Sequence, residues 1–189
     1  EPHDGKDLTL SVDSKIQYIA FTQLKEAVEK FNAKAGGAVV LDVHTGEVLA
    51  LANYPSYDPN DRRKLTGQQL RNRVMTDTFE PGSTLKPITV SLALDTGRVK
   101  PGTLIDTGPG RYTIADRTIT DTKPHGVINV SEIIEMSSNI GTSKIALGMP
   151  SQEMWEMFTK VGFGQQPKWG FPGAVAGRVV DVLEAVDVD

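Results

Sequence analysis

The spacing of apolar positions opens with a short alternation, "LTLSVD", which predicts a strand over Leu8 to Val12. Asp13 is then placed to cap a helix. Ile16, Ile19, Ala20, Leu24, Ala27, Val28 and Phe31 recur at helical spacing, so a helix is expected from about Ser14 to Lys34, ended by Gly36-Gly37. "GAVVLDV" and "EVLALANY" read as two apolar strands joined by a short turn at "HTG", His44 to Gly46. "PSYDPNDRRK" is a polar loop. "GQQLRNRVMTDTF" reads as a short helix whose solvated face carries Arg71 and Arg73.

After "EPGS" the stretch "TLKPITVSLALDTG" is mostly apolar and predicts a buried helix stopped by Gly97, with Pro87 tolerated near its first turn. "GRYTIADRTITDT" predicts a hairpin around Ala115-Asp116. "INVSEIIEMSSNIGTSKIAL" reads as two helical pieces broken at Ser137 to Gly141. "PSQEMWEMFTKVGFG" reads as a helix capped by Ser151 and ended by Gly162, with Trp155 and Met157 as packing residues. Strands and helices mix without regular alternation and without an internal repeat. That pattern predicts an α+β fold with one core.

Composition narrows the chemistry. The 189 residues are 39% apolar and 23% charged, with a net charge of −4 and no basic stripe, which excludes a nucleic-acid partner. No apolar run approaches the roughly 18 residues that span a bilayer, and no signal peptide is visible. There is no cysteine, hence no thiol nucleophile, disulfide or cysteine-ligated metal. His3, His44 and His125 lie far apart, in no metal-spaced pair, and Asp116, Asp121 and His125 make no metal set, so no cofactor or metal is expected. Without a "GxSxG" elbow, serine chemistry needs a base other than histidine.

Lysine is the candidate. In "FEPGSTLKPITV" Ser83 follows a Glu-Pro-Gly turn and Lys86 lies three residues on, on the same face of a helix that starts there. An apolar helix can bury Lys86 and favour its neutral form, as a base requires. The helix N-terminus presents free N–H groups beside Ser83. The same spacing also describes a serine N-cap followed by an exposed lysine, and chance alone supplies roughly 0.6 such pairs from ten serines and twelve lysines. In isolation capping is the commoner reading. "SSN", Ser137 to Asn139, lies at the expected break between helices and alone reads equally as a polar turn. Ser-x-x-Lys followed by Ser-x-Asn is, however, two-thirds of the signature of penicillin-recognising serine enzymes, which a Lys-Thr-Gly completes.

Three longer stretches, "GAVVLDVHTGEVLALANYPSYDPN", "RNRVMTDTFEPGSTLKP" and "SSNIGTSKIAL", resemble the transpeptidase domain of class B penicillin-binding proteins, and among them the division-specific members. The resemblance runs from Asp7 to about Arg178. It implies a penicillin-binding/β-lactamase-like fold, an antiparallel sheet with helices. It implies Ser83 as the acylated nucleophile, Lys86 as its general base, Ser137 as a proton relay and Asn139 as a hydrogen-bond partner of the donor peptide. The implied reaction is D,D-transpeptidation of peptidoglycan stem peptides during cell division, blocked by β-lactams. The implied setting is the periplasmic face of the inner membrane, with an upstream anchor and membrane proteins of the division complex as partners.

The third motif, Lys-Thr/Ser-Gly on a strand after the Ser-x-Asn, is absent, and "HTG" at His44 precedes Ser83 and belongs to a hairpin turn. Residues 1–189 therefore read as the front part of a transpeptidase domain, incomplete on its C-terminal side and not active alone, with a tail over 179–189 of unclear origin. Two alternatives stand beside this reading: a serine β-lactamase, and a non-catalytic half-domain used as a scaffold. Glu80 is expected to fix the turn before Ser83, and Trp169 lines a groove or covers a loop.

Overall fold

The computed structural model describes residues 7–61 and 63–165; His3, Trp169, Arg178 and the tail over 179–189 lie outside them. Within the described residues the chain forms two compact units, residues 7–77 and 78–165.

The first unit is built from α1 (Ser14–Lys30), an antiparallel pair β1 (Gly36–Leu41) and β2 (Val48–Tyr54), and two single-turn helices, α2 (Gly67–Leu70) and α3 (Arg73–Thr76). Asp13 caps α1 as expected, its carboxylate accepting from Lys15 N and Ile16 N at 2.9 Å each. The helix ends about a turn earlier than its apolar spacing predicts, because Asn32 turns to φ +49°. Phe31 is consequently 74% exposed. The expected strand over Leu8 to Val12 forms no ladder. Ser11 Oγ donates to Val48 O at 2.8 Å and Asp13 N to Leu49 O at 2.9 Å, while Leu8 and Leu10 stay exposed.

Gly36 and Gly37 do not stop α1; they open β1 and let helices approach it. A Cβ on Gly36 would lie 2.8 Å from Leu24 Cδ1, and one on Gly37 would lie 2.9 Å from Val74 Cγ2. The β1–β2 turn forms at "HTG" as expected. Asp42 closes it, accepting from His44 N at 2.8 Å and Thr45 N at 2.9 Å. The single helix expected over "GQQLRNRVMTDTF" is two. Thr66 and Gln69 form a capping box on α2, and the Asn53 and Asn72 side chains pair at 3.0 Å where the chain breaks. Arg73 is not on a solvated face. Its side chain is 10% exposed and pairs with Asp77 at 2.9 Å, and Arg71 reaches the other Asp77 oxygen at 2.6 Å.

The second unit begins with a 3-10 turn, Gly82–Leu85, that runs into α4 (Lys86–Asp95). Then come β3 (Leu104–Asp106), the hairpin β4 (Arg111–Ile114) and β5 (Arg117–Thr120), β6 (Val127–Asn129), α5 (Val130–Glu135), α6 (Asn139–Leu147) and α7 (Ser151–Lys160). β3 pairs antiparallel with β6, and β4 with β5. The core gathers Val90 and Ala93 of α4, Ile133 of α5, Ile145 of α6, and Met154 and Phe158 of α7. The β4–β5 hairpin turns at Ala115 as expected, with φ +48°. β3 and β6, three residues each, carry too little alternation to be read from the sequence. β6 also replaces the start of the expected helix: Asn129 and Glu132 form a reciprocal capping box, so α5 begins only at Val130.

Two expectations for α7 are corrected. Its N-cap is Pro150, with Ser151 the first helical residue. Its packing face is Met154 and Phe158, each 2% exposed and four residues apart, whereas Trp155 is 40% exposed. With these corrections the architecture is α+β: helices packed with antiparallel strand pairs.

Candidate active site

Ser83 sits inside the 3-10 turn. Gly82 enters that turn at φ +56°, a conformation glycine adopts without strain. Ser83 caps no helix: Pro81 holds the N-cap position of the turn and Leu85 that of α4, and neither helix start has a side-chain cap. Thr84 tightens the entry, its Oγ1 donating to Pro81 O at 2.6 Å, while Glu80 is exposed. The turn is thus fixed by Thr84, not by Glu80. Lys86 N donates to Ser83 O. In a 3-10 turn positions i and i+3 eclipse, so Ser83 and Lys86 leave the chain on the same side. Ser83 is exposed, and its hydroxyl has no hydrogen bond with any described residue.

Lys86 is half-buried and not a solvated helix charge. Its Nζ is 2.5 Å from Ser137 O, 3.0 Å from Ser137 Oγ and 2.6 Å from Asn139 Oδ1. Lysine carries only donors, so the Asn139 amide must turn its oxygen toward Nζ. The amide nitrogen then donates to Thr120 O on β5 at 2.8 Å. All three contacts run from Nζ to an oxygen: two carbonyl-type oxygens, which can only accept, and the Ser137 hydroxyl. Burial pushes the Lys86 ammonium below the ordinary lysine range, while the Asp121 carboxylate pulls in the opposite direction.

Ser137 has φ +53°, which costs a non-glycine residue roughly 1–2 kcal/mol. Such strain persists where neighbours over-determine it. Here Ser137 N donates to Ile134 O at 3.1 Å, Lys86 holds the Ser137 carbonyl and hydroxyl, and Ser138 anchors the next position. Ser138, only 1% exposed, is the residue of "SSN" that caps, its Oγ accepting from Gly141 N at 2.9 Å. Ser137 and Asn139 flank it, exposed and on Lys86. The helix break therefore falls over 136–138, and Asn139 to Gly141 belong to α6. Gly141 is required by proximity: a Cβ there would lie 2.6 Å from Ile133 Cγ1. Beside this cluster lies a mainly apolar cleft of about 390 Å³, lined by Lys86 and Asn139 together with Ile114, Ile119, Ala146 and Phe158.

Of the four residues singled out by motif, the structure brings Lys86, Ser137 and Asn139 into one hydrogen-bonded cluster, with Ser83 one tight turn before Lys86. Asp121 went unrecognised. The sequence suggested it only as a metal ligand to be dismissed, yet its carboxylate accepts from Ser138 Oγ at 2.7 Å, Asn139 N at 2.6 Å and Ile140 N at 3.1 Å. No local signal marks it, because its partners lie 17 to 19 residues downstream.

A serine at a helix start, a half-buried lysine one tight turn on and a Ser-x-Asn pair holding that lysine are the parts that a serine acyl transfer of the penicillin-recognising type requires. The chain belongs to the family of penicillin binding protein transpeptidase domains, which matches residues 36–185. It is 44% identical over 176 residues to a probable peptidoglycan D,D-transpeptidase PenA of Neisseria flavescens, covering 93% of this chain and 44% of that protein. It is 39% identical over 171 residues to the peptidoglycan D,D-transpeptidase FtsI of Escherichia coli K12, covering 90% of this chain and 29% of that protein. The apo transpeptidase domain of Burkholderia pseudomallei penicillin-binding protein 3 superposes with a TM-score of 0.80 at 54% identity, over 94% of this chain and 49% of that one. The chain thus spans less than half the length of each of these relatives.

Proposed function

We propose that this chain carries the acylation centre of a peptidoglycan D,D-transpeptidase acting in cell division, with residues 1–189 forming part of its transpeptidase domain. The observation that supports this most is the Lys86 contact set: one amine on Ser137 O, Ser137 Oγ and Asn139 Oδ1, a single tight turn after Ser83. In the proposed reaction Ser83 Oγ attacks the carbonyl of the D-Ala-D-Ala bond while Lys86 Nζ takes the hydroxyl proton. Ser137 Oγ, in contact with Nζ, passes a proton to the departing D-Ala amine as the C–N bond breaks. Asn139 keeps one N–H free of Thr120 and offers it to an amide of the bound donor peptide. An amine of a neighbouring stem peptide then attacks the acyl-enzyme, restores Ser83 and leaves a cross-link. A β-lactam acylates Ser83 in the same way but keeps its leaving amine tethered, so the acyl-enzyme persists.

The relatives' names support the cell-wall assignment, and the division role follows the FtsI name. The proposed location is the periplasmic face of the inner membrane, with division-complex membrane proteins as partners. No helix among the described residues is long and apolar enough to cross a membrane, so the anchor would lie elsewhere in the protein. A labelled penicillin offered to the full-length protein tests the reading. Stable one-to-one labelling is expected. Rapid turnover would indicate a β-lactamase, and no labelling a scaffold.

A further inference from the structure

The Ser137–Asn139 segment is held on two sides, by Lys86 on one and by a carboxylate on the other. Asp121 lies just past the end of β5. Both of its oxygens are committed: Oδ2 accepts from Ser138 Oγ, and Oδ1 accepts from Asn139 N and Ile140 N. It therefore grips the buried cap of α6 and the first two amides of that helix. The preceding residue, Thr120, supplies the carbonyl that takes the Asn139 side-chain amide at 2.8 Å. Asp121 and the last residue of β5, Thr120, thus set the backbone and the side chain of Asn139, while the Ser137 carbonyl and hydroxyl are set on Lys86.

We propose that Asp121 is a positioning residue of the acyl-transfer centre, whose carboxylate locks Ser138 and Asn139 so that Ser137 and Asn139 meet Lys86 in reactive register. This rests on the roles proposed above for Ser83, Lys86 and Ser137. The carboxylate acts through geometry, and its charge is also felt at Lys86, where it opposes the effect of burial. Other charged groups lie on the helices packed against α4 and on the β4–β5 hairpin. Arg117 on β5 lines the same cleft. On α6, Lys144 donates to Asp106 O at 2.7 Å and lies 4.6 Å over the Tyr112 ring. On α7, Glu153 pairs with Arg98 at 2.8 Å, and on α5, Glu132 closes its own capping box. Asp121 is thus the anion whose removal changes both the grip on α6 and the charge near Nζ.

The test measures acylation of the full-length protein by a fluorescent penicillin across pH, for wild type, Asp121→Asn and Asp121→Ala, with thermal unfolding alongside. D121A is expected to acylate roughly 10²-fold more slowly, the usual scale for a misplacement of about 1 Å. D121N keeps the shape and loses the charge, so the acid limb of its pH–rate profile is expected to move to lower pH. Wild-type rates with an unmoved limb in both variants, or a pH-independent loss with the limb fixed, would overturn the proposal by reducing Asp121 to a plain helix cap. If D121A fails to fold, the limb of D121N decides. A wild type that is not labelled at Ser83 would instead overturn the parent reading, and this one with it.

Discussion

Lys86 Nζ donates to Asn139 Oδ1 at 2.6 Å across 53 residues of chain. That contact fixes the amide orientation of Asn139, and with it the direction in which the Asn139 N–H bonds point. It also makes Lys86 the hub through which the 3-10 turn of Ser83 and the start of α6 are coupled. Replacing the amine while keeping the apolar stem separates chemistry from packing. Lys86→Met is expected to retain the fold, judged by thermal unfolding, and to acylate roughly 10²-fold or more slowly, the range of lost general-base catalysis. A near-wild-type rate in stopped-flow labelling would remove Lys86 from the reaction.

The depressed Lys86 pKa sets a sign for stability against pH. Burial lowers the folded-state value below the ordinary 10.5, so between the two values the unfolded chain binds more protons. Stability contributed by this group is present above the unfolded value and lost as pH falls through the folded one. The free energy of unfolding of wild type relative to K86M is therefore expected to rise as pH increases through that window. Denaturant titrations at stepped pH check it. A flat difference would show Lys86 to be fully solvated, and one that falls with pH would show that the Asp121 charge outweighs burial.

Gly141 couples the core to the site. A methyl group there would meet Ile133, which is fully buried, at 2.6 to 3.1 Å. Gly141→Ala is expected to cost about 1–3 kcal/mol, the range for overpacking, and to slow acylation by displacing the first turn of α6. Trimming the partner, as in G141A with Ile133→Val, is expected to recover part of both losses. Additive losses in that double-mutant cycle would contradict the contact.

How far the sequence reveals this arrangement depends on the range of each signal. The α1 cap at Asp13, the β1–β2 pair and the β4–β5 turn are encoded within a few neighbouring residues, and their expectation matches the structure. The start of α5 was also local, in Asn129 and Glu132, but the apolar "VIN" of β6 masks it by running straight into the helix. Ser83 and Lys86 lie three residues apart in sequence, yet their spacing describes a cap as well as a reactive pair. Capping fails only because the backbone around them is a 3-10 turn led by a left-handed Gly82. Asp121 has no local trace at all, since its meaning lies in a hairpin folding back onto α6. Phe31 and Trp155 mislead in the opposite way. Each sits at a helical spacing suited to a core, but a backbone turn and a rotated helix face leave them exposed.

The nucleophile assignment is tested most directly by peptide mapping of the full-length protein after reaction with a labelled penicillin. The label is expected on Ser83, one per chain, and is expected to disappear in Ser83→Ala while that variant stays folded. Label on a different serine, or labelling that survives Ser83→Ala, would contradict the assignment of Ser83 and of the lysine-centred site built on it.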